Sequence, residues 1–354
     1  MSMESNLFLQ LFGHAGIPCH SRELAKEFVK MHPHTNIISM MSGNSDLLED
    51  SIKVHLRPPS PSAPTFMFEY PTRFQYLINN YTKKLGYYIF EFTNIPRNYV
   101  SILNQMDIIC TASQWGLRVL TQNGVKTRIE VIRGGVDVCK FNISYRNNWD
   151  GNSEFVFGHL GKFECRKNTE LLIRSFLKIF RLNHNVKLLL SVNNIFYQNN
   201  PKEYLERKYG CHKNIEYLPH LRDIRDFYKR IHCAVFPTNA EGIGLPIVES
   251  MACGIPTIAS LNSGVTEYAQ HSNAILLTQL KMVPVHDPIF FPELGAYGNW
   301  ESPTEDELCE KMWFVFTSYG KALEVGNEAA RFMNESFSWK QPAEKLYNLM
   351  HEMA

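Results

Sequence analysis

The sequence has almost no net charge. Its 354 residues include 36 lysines and arginines against 35 aspartates and glutamates, which leaves a formal charge of +1. Bulk attraction to a polyanion is therefore not expected, and nucleic acid is disfavoured as the main partner. A local basic patch remains compatible with this balance.

Paired cysteines are also missing. The eight cysteines are scattered, and no two of them have the C-x-x-C spacing that is typical of a zinc or redox site. We interpret them as reduced thiols, and we expect no disulfide framework.

Long apolar runs are absent as well. No run approaches the roughly 20 residues that cross a bilayer. Residues 1–16 show neither a basic leader nor an apolar stretch long enough for a secretory core. These absences favour a location in the cytoplasm, and a peripheral position at a membrane stays open. The oligomeric state is left open.

What the sequence does contain is a repeated alternation of short apolar runs and helical patterns, which predicts parallel α/β units. A helix is expected from Ser21, as its N-cap, to residue 31. Strands are predicted at 7–12, 36–41, 65–68, 87–90, 108–111 and 129–132, then at 155–160, 187–192, 215–217, 233–237, 257–260 and 274–277.

The polar stretch 144–153 separates the two series of strands, and the length fits two domains of roughly 150 residues each. We predict an N-terminal Rossmann-like acceptor domain (1–145), a C-terminal Rossmann-like donor domain (146–336) and a final helical segment (337–354) that returns to the first domain. Two such sheets are expected to face each other across a cleft. Ligands should bind beyond the carboxyl ends of the strands.

The most informative stretch is 236–256, where a predicted strand enters a glycine-containing loop. Pro246 suits the first turn of a helix, and Gly254 suits its end. Free amides at the start of that helix, near Gly242 and Gly244, predict a binding site for a diphosphate.

Two glutamates within this stretch are candidate ligands for a sugar nucleotide. We place Glu249 in the first turn of the helix, where its carboxylate can accept both hydroxyls of a ribose. Glu241 lies one loop earlier, within reach of a sugar hydroxyl. Taken singly, Glu249 could merely complement the helix dipole and Glu241 could be a solvated loop residue.

In combination, these residues resemble the retaining glycosyltransferases of the GT-B fold, specifically family four (glycosyl transferases group 1). The signature of that family, E-G-F-G-L-P-x-x-E-A-M-A-x-G-x-P, separates its two glutamates by seven residues. Residues 241–256 read E-G-I-G-L-P-I-V-E-S-M-A-C-G-I-P, with Ile243 and Ser250 as mild departures. The resemblance assigns Gly242, Ile243, Gly244, Leu245 and Glu249 to donor binding.

A second segment, 159–168, is similar to the family's G-R-L-x-x-x-K-G, in which two cations bind the donor diphosphate. Lys162 stands at the arginine position and Lys167 at the lysine position, while Asn168 replaces the glycine. A lysine holds phosphate as a point charge rather than as a bidentate fork, and Arg166 could compensate. Taken alone, these cations would more often mark a solvated helix start.

The resemblance extends over most of the chain but departs from the family at the N-domain site. Many relatives place a histidine where Glu91 stands. Glu91 is therefore a candidate catalytic residue, with His14 and His20 as alternatives. The first loop has fewer glycines than is usual in the family, so Gly16 is a weaker candidate for binding the donor. The other matching segments are 91–96, 107–113, 131–137, 263–267 and 337–339.

The resemblance implies transfer of a hexose from a nucleoside-diphosphate sugar, with retention, to an unidentified glycan, lipid, protein or small molecule. Catalytic roles are expected for Glu241, Lys162, Lys167 and Glu91. No D-x-D metal element is present, so no metal and no other cofactor are expected. The alternatives are a catalytically silent nucleotide-sugar-binding protein of the same fold and a nucleic-acid base glycosyltransferase.

Overall fold

The computed structural model describes residues 4–13, 16–183, 185–194, 200–219, 221 and 223–354. The chain forms two compact units. Unit 1 consists of the chain up to Phe90, Asn94–Asp137 and Phe337–Ala354, and unit 2 of Glu91–Thr93 and Val138–Ser336. Unit 2 thus begins at Val138, earlier than the predicted 146, because Phe141 already packs edge-on against Tyr228 of unit 2.

Unit 1 contains a parallel six-stranded sheet in the order β2-β1-β3-β4-β5-β6. The strands are β1 (Ser5–Leu9), β2 (Thr35–Ser39), β3 (Thr65–Phe68), β4 (Lys84–Tyr87), β5 (Ile108–Thr111) and β6 (Arg128–Val131). The helices between them are α1 (Gly16–Met31), α2 (Asp50–Lys53), α3 (Pro71–Asn80), α4 (Arg97–Leu103) and α5 (Gln114–Gln122). Predicted and observed strands agree closely except at β4.

Helix α1 and strand β4 differ from the sequence prediction for reasons that packing explains. Helix α1 begins at Gly16, and the side chain of Ser21 is buried within the helix rather than capping it. Pro18 occupies the first turn, a position that proline favours. Strand β4 ends at Tyr87 instead of spanning 87–90, because Tyr88 and Phe90 are apolar residues of a buried aromatic stack that follows the strand.

Unit 2 contains the second parallel six-stranded sheet, in the order β12-β11-β10-β7-β8-β9. Its strands are β7 (Phe155–Lys162), β8 (Val186–Asn193), β9 (Ile215–Tyr217), β10 (Cys233–Phe236), β11 (Thr257–Ser260) and β12 (Ile275–Leu277). Its helices are α6 (Thr169–Phe180), α7 (Pro201–Tyr209), α8 (Arg225–Tyr228), α9 (Leu245–Ala252), α10 (Glu305–Thr317) and α11 (Tyr319–Ser336). Phe155, Phe157, Phe176 and Phe180 are completely buried in its core.

An antiparallel hairpin follows β12. Strand β13 (Leu280–Pro284) pairs with β14 (Asn299–Pro303). Thr304 then caps α10, since its hydroxyl accepts a hydrogen bond from the Glu307 amide. The Glu307 carboxylate, however, accepts hydrogen bonds from the amides of Thr278 and Gln279.

After unit 2, the chain returns to unit 1. The Val136 amide donates to the Phe337 carbonyl at 2.9 Å, and Val136 bridges to Ser338. A Cβ atom on Gly135 would lie 2.6 Å from the Trp339 nitrogen, so only glycine fits there. The last helix, α12 (Lys340–Glu352), packs on α1.

Within the part of the chain that the structure describes, no helix combines the length and the apolar character needed to cross a lipid bilayer.

Candidate functional site

The candidate site in unit 2 lies at the point where the strand order of its sheet reverses. Strand β7 starts this sheet and is flanked by β8 on one side and by β10 on the other. In open parallel sheets, ligands bind outside the carboxyl ends of the strands at such a reversal. The loops that follow β7 and β10 meet there, and they carry both motifs singled out in the sequence.

The loop after β7 is a short turn that brings three cations together. Lys162 is the last residue of the strand, and a single 3₁₀ turn at Cys165–Lys167 follows. Asn168 then adopts the left-handed conformation, with φ of 58° and ψ of 32°. Glycine and asparagine are the residues that tolerate this conformation best. The exchange of the family's glycine for Asn168 is therefore structurally conservative.

The loop after β10 buries Glu241, which is only 4% exposed. The Glu241 amide donates to the Ser263 hydroxyl at 2.7 Å, and the Glu241 carbonyl accepts from the Gly264 amide at 2.8 Å. Gly264 packs so closely on the Gly242 carbonyl that a Cβ atom would collide with it. The backbone around Glu241 is thus fixed by the 263–267 segment.

Lys167 and Arg166 both bind the Glu241 carboxylate. The Lys167 ammonium donates to the two carboxylate oxygens at 2.7 and 2.9 Å. The Arg166 guanidinium donates to Oε2 at 3.0 Å and to the neighbouring Ala240 carbonyl at 2.8 Å. The two motifs are thereby joined through charge-assisted hydrogen bonds, which are stronger than neutral ones.

Arg166 lies between three carboxylates. In addition to the contact with Glu241, the Nη2 atom of Arg166 is 3.1 Å from a carboxylate oxygen of Glu164 and 3.5 Å from a carboxylate oxygen of Glu91. Burial alone disfavours the charged guanidinium, but Glu91, Glu241 and Glu164 reverse this effect and raise the pKa of Arg166. Predicted as a ligand of the donor, Arg166 in this structure uses its hydrogen bonds to hold carboxylates.

The same contacts keep Glu241 ionised. Burial alone would raise its pKa, but Lys167 and then Arg166 outweigh burial and lower the pKa of Glu241 below its usual value. A carboxylate held in this way accepts hydrogen bonds and donates none at neutral pH. Glu241 is therefore suited to bind hydroxyl groups rather than to act as an acid.

Lys162 is the most accessible of the three cations, with 43% of its side chain exposed. Its ammonium is 3.6 Å from a Glu164 oxygen and 6.0 Å from the centre of the Phe290 ring. Lys167, by contrast, is only 12% exposed. Lys167 is therefore not a cation of a solvated helix start, because its contact with Glu241 buries it.

Glu249 lies in the second turn of α9 and not in the first, because the helix begins at Leu245. Its Oε2 atom accepts a 2.8 Å hydrogen bond from the hydroxyl of Tyr228, which is completely buried. Burial and the adjacent Glu249 raise the pKa of Tyr228 well above its usual value, so this hydroxyl stays protonated and acts as a donor. Tyr228 thus fixes one oxygen of Glu249.

The remaining donor candidates of unit 2 surround the start of α9. Gly244, with φ of 82°, caps the helix and adopts a conformation that only glycine takes without strain. The hydroxyl of Tyr268 donates to the Ile243 carbonyl at 2.6 Å. Gly242 and Ile243 are buried, and Leu245 is partly exposed.

The remaining candidates lie in unit 1. Gly16 is the exposed first residue of α1. His20 is buried in contact with the rings of Phe68, Tyr87 and Trp339, and its ring nitrogens have no hydrogen-bond partner among the residues that the structure describes. This aromatic packing rules out His20 as the reactive histidine. His14 lies outside the described residues.

The hairpin supplies contacts that the sequence did not reveal. The Trp300 indole donates to the Glu91 carbonyl at 2.6 Å, and the Asn299 amide donates to the Thr93 hydroxyl at 2.9 Å. The Phe92 ring meets the rings of Phe291 and Tyr297 edge-on. These contacts hold Glu91–Thr93 in unit 2 and bring the Glu91 carboxylate to Arg166.

Asp287, which is only 1% exposed, connects the hairpin region to the loop after β7. Its carboxylate accepts hydrogen bonds from the amides of Cys165, Ile289 and Phe290 at 3.0 to 3.1 Å. Further support comes from Asn168, whose side-chain amide donates to Asn239 at 2.9 Å. In the sequence, the only indication of this contact was an aspartate within the largely apolar segment 285–291.

No group of three or more histidines, cysteines, aspartates and glutamates in the described ranges has an arrangement that could hold a metal ion. Glu91, Glu164 and Glu241 all surround Arg166 instead.

Comparisons with known proteins identify relatives of this site. Residues 154–287 match the family "Glycosyl transferases group 1". The capsular polysaccharide biosynthesis glycosyltransferase CapM of Staphylococcus aureus is 27% identical over 168 residues, which cover 45% of this chain and 44% of CapM. A probable sucrose-phosphate synthase of Thermosipho melanesiensis is 23% identical over 237 residues, covering 64% of this chain and 48% of that protein. The chain matches about half the length of these curated relatives.

Solved structures match the whole chain. A glycosyltransferase from Rickettsia africae covers 100% of this chain and 99% of its own, with a TM-score of 0.77 and 16% identity. HepE of Anabaena, solved with UDP and glucose, covers 99% of both chains, with a TM-score of 0.71 and 15% identity. These matches confirm the predicted resemblance to the group 1 glycosyltransferases and the predicted α/β GT-B fold.

Proposed function

We propose that this chain, a relative of the group 1 glycosyltransferases with the GT-B fold, transfers a hexose from a nucleoside-diphosphate sugar to an acceptor with retention at the anomeric carbon. The observation that carries the proposal is the contact of Lys167 with Glu241 at the reversal of the strand order in unit 2. It joins the two motifs that the sequence assigns to donor diphosphate and donor sugar.

The proposed roles follow from the charge and exposure of each group. Negative charge builds up on the leaving diphosphate during transfer, and cations already held in place stabilise it without reorganisation. Lys162, being exposed, meets the diphosphate directly, and Lys167 meets it while remaining bound to Glu241. Glu241 accepts hydrogen bonds from the sugar hydroxyls.

Glu249 binds the nucleoside of the donor. Tyr228 donates to its Oε2 atom, and the carboxylate accepts the ribose hydroxyls. In this proposal Arg166 and Glu91 have a supporting role, because their side chains hold Glu241 rather than phosphate. The reaction needs no metal ion, and the acceptor binds in unit 1.

Solved structures similar to this chain suggest which donor to test first. HepE has been solved with UDP-glucose, and TarM of Staphylococcus aureus with UDP. UDP-glucose is therefore the first donor to assay for this chain, ahead of GDP- and ADP-sugars.

The decisive experiment is a thermal-shift panel of UDP-, GDP- and ADP-sugars, followed by calorimetry and by an NMR assay of the anomeric configuration of the product. A ligand of the native state raises the melting temperature. We expect one nucleotide class to bind and its sugar to be transferred or hydrolysed with retention. Binding without turnover would support the catalytically silent alternative. If no nucleotide sugar binds, both the proposed glycosyltransferase activity and the catalytically silent alternative are refuted.

A further inference from the structure

The strand order of unit 1 reverses at one point, as it does in unit 2. Strand β1 starts this sheet and is flanked by β2 on one side and by β3 on the other. The carboxyl ends of β1 and β3 therefore form the position where a doubly wound sheet binds ligands. In unit 2 the corresponding position holds Lys167 and Glu241.

Two polar residues occupy this position in unit 1. Gln10 directly follows β1, and Glu69 directly follows β3. The parallel register of these strands, in which Phe8 is opposite Met67, brings the two side chains together, and the Gln10 amide donates to a Glu69 oxygen. Gln10 is half-buried, whereas Glu69 is only 8% exposed.

A carboxylate buried to this degree needs hydrogen-bond donors. The only backbone donor to the Glu69 carboxylate among the described residues is the Tyr70 amide, at 3.3 Å. Burial raises the pKa of Glu69, which the Tyr70 amide and the Arg73 charge only partly offset. Acids with perturbed pKa values cluster at functional sites, and open parallel sheets bind ligands at the carboxyl ends of their strands.

An aromatic ring lies beside this pair. Tyr70 is 50% exposed, and its ring meets the buried Tyr88 ring edge-on with 6.5 Å between their centres. Tyr88 follows β4, the next strand of the sheet, and stacks on Phe90. The Tyr70 ring therefore packs against the buried Tyr88 ring while part of it remains accessible to solvent.

We propose that Gln10, Glu69 and Tyr70 bind the acceptor of the transfer reaction and that this acceptor is an uncharged saccharide. The carboxylate and the amide match the hydroxyl groups of a sugar, and the tyrosine ring matches its apolar C–H face. The carboxylate disfavours an anionic acceptor. Arg22, the first arginine after β1, donates to the carbonyls of Leu11 and Gly13 instead. The charge of Arg73 acts on Glu69 itself, where it only partly offsets the effect of burial. The inference rests on the proposed function.

The test is saturation-transfer-difference NMR on the full chain with UDP present. The probes are methyl α-glucoside, methyl α-mannoside and, as an anionic comparison, glucose 6-phosphate. The variants are Glu69→Gln and Tyr70→Ala. The matched control is Tyr76→Ala, which removes a tyrosine of similar exposure (47%) from α3 of the same unit.

We expect the wild type to bind at least one methyl glycoside. Glu69→Gln and Tyr70→Ala should each weaken that binding about tenfold, and Tyr76→Ala should leave it unchanged. Three results would overturn the proposal: no glycoside signal from the wild type, equal signals from wild type and both variants, or tighter binding of glucose 6-phosphate than of methyl α-glucoside. If Glu69→Gln fails to fold, binding of the methyl glycosides by Tyr70→Ala tests the proposal, because Tyr70 is exposed and its replacement should not disturb folding.

Calorimetry with UDP, GDP and ADP on the same samples separates this inference from the function on which it rests. A wild type that binds none of the nucleotides refutes the proposed function, whatever the saccharide signals are. A wild type that binds a nucleotide, with variants that bind both nucleotide and saccharide normally, refutes only the acceptor site.

Discussion

Lys167 and Glu241 are joined through both carboxylate oxygens, at 2.7 and 2.9 Å, although they lie 74 positions apart in the sequence. The lysine therefore serves stability as well as the proposed chemistry. Lys162, with 43% of its side chain exposed and its ammonium 3.6 Å from a Glu164 oxygen, makes no comparable buried contact. The two lysines should differ accordingly when they are removed.

Replacing Lys162 by alanine should cut turnover about 100-fold while leaving the free energy of unfolding within about 0.5 kcal/mol of wild type. Replacing Lys167 by alanine should cut turnover as strongly and also lower the free energy of unfolding by about 3 kcal/mol, because a buried carboxylate loses a partner. Denaturant unfolding and donor hydrolysis measure both effects. Lys178→Ala, which breaks an exposed ion pair of unit 2, is the control. Activity within tenfold of wild type, about 1.4 kcal/mol, would contradict the phosphate assignment.

Glu249→Ala should weaken donor binding by about 1.5 to 3 kcal/mol, because the ribose hydroxyls lose a charged acceptor. Tyr228→Phe should weaken it less, by about 1 kcal/mol, since the carboxylate remains but loses the donor that orients it. Calorimetry with the nucleoside diphosphate measures both changes. An unchanged affinity for Glu249→Ala would remove this residue from the site.

Asp287→Ala should release the turn that carries Lys162, Arg166 and Lys167, because three backbone amides lose their acceptor. We expect a loss of about 2 kcal/mol in the free energy of unfolding and a higher KM for the donor. Asp150→Ala is a matched control, since Asp150 also accepts backbone amides, but in the turn before β7. If both variants raise KM equally, the hairpin has no special role in the donor site.

The stability of unit 1 should fall in acid because of His20. Complete burial lowers the pKa of His20 to about 3, whereas in the unfolded chain it is about 6.5. Between these values only the unfolded state takes up the proton, so the free energy of unfolding decreases as pH falls below 6.5. From pH 7 to about pH 5 this single group accounts for a loss of about 2 kcal/mol.

His20→Phe keeps the aromatic packing and should remove this part of the pH dependence. Denaturant midpoints followed by tryptophan fluorescence at both pH values measure it. His34→Phe, at an exposed position, is the control. Parallel pH profiles for His20→Phe and wild type would show that His20 does not contribute.

Treatment with EDTA followed by buffer exchange should leave kcat/KM unchanged, because the proposed mechanism stabilises the leaving diphosphate with Lys162 and Lys167. A steady-state assay with and without added magnesium measures this. A loss of activity that magnesium restores would show that a cation takes part.

The sequence predicted the parts of the fold that depend on repeated local patterns. Apolar runs located most strands, and the rule for parallel sheets placed the loops of Lys167 and Glu241 at the same edge of the sheet. Both signals are properties of the backbone pattern and need no knowledge of side-chain partners.

What the sequence could not predict depends on tertiary partners. Ser21 has the chemistry of an N-cap, but Pro18 allows α1 to begin earlier, and packing then buries the serine. The ion pairs of Arg166 could not be predicted, because Glu91 and Glu241 are distant from it in sequence. The hairpin escaped prediction because its two strands are separated by an irregular proline-containing stretch.

The hydrogen bond from Val136 to Phe337 closes a gap of roughly 200 residues in unit 1. If the intervening chain were unstructured, bringing these two ends together would cost about 5 kcal/mol of conformational entropy. Folding of unit 2 removes most of that freedom. We therefore expect the attachment of α12 to α1 to be the last event in folding, so that unit 1, although it begins the chain, is completed only after the segment inserted within it.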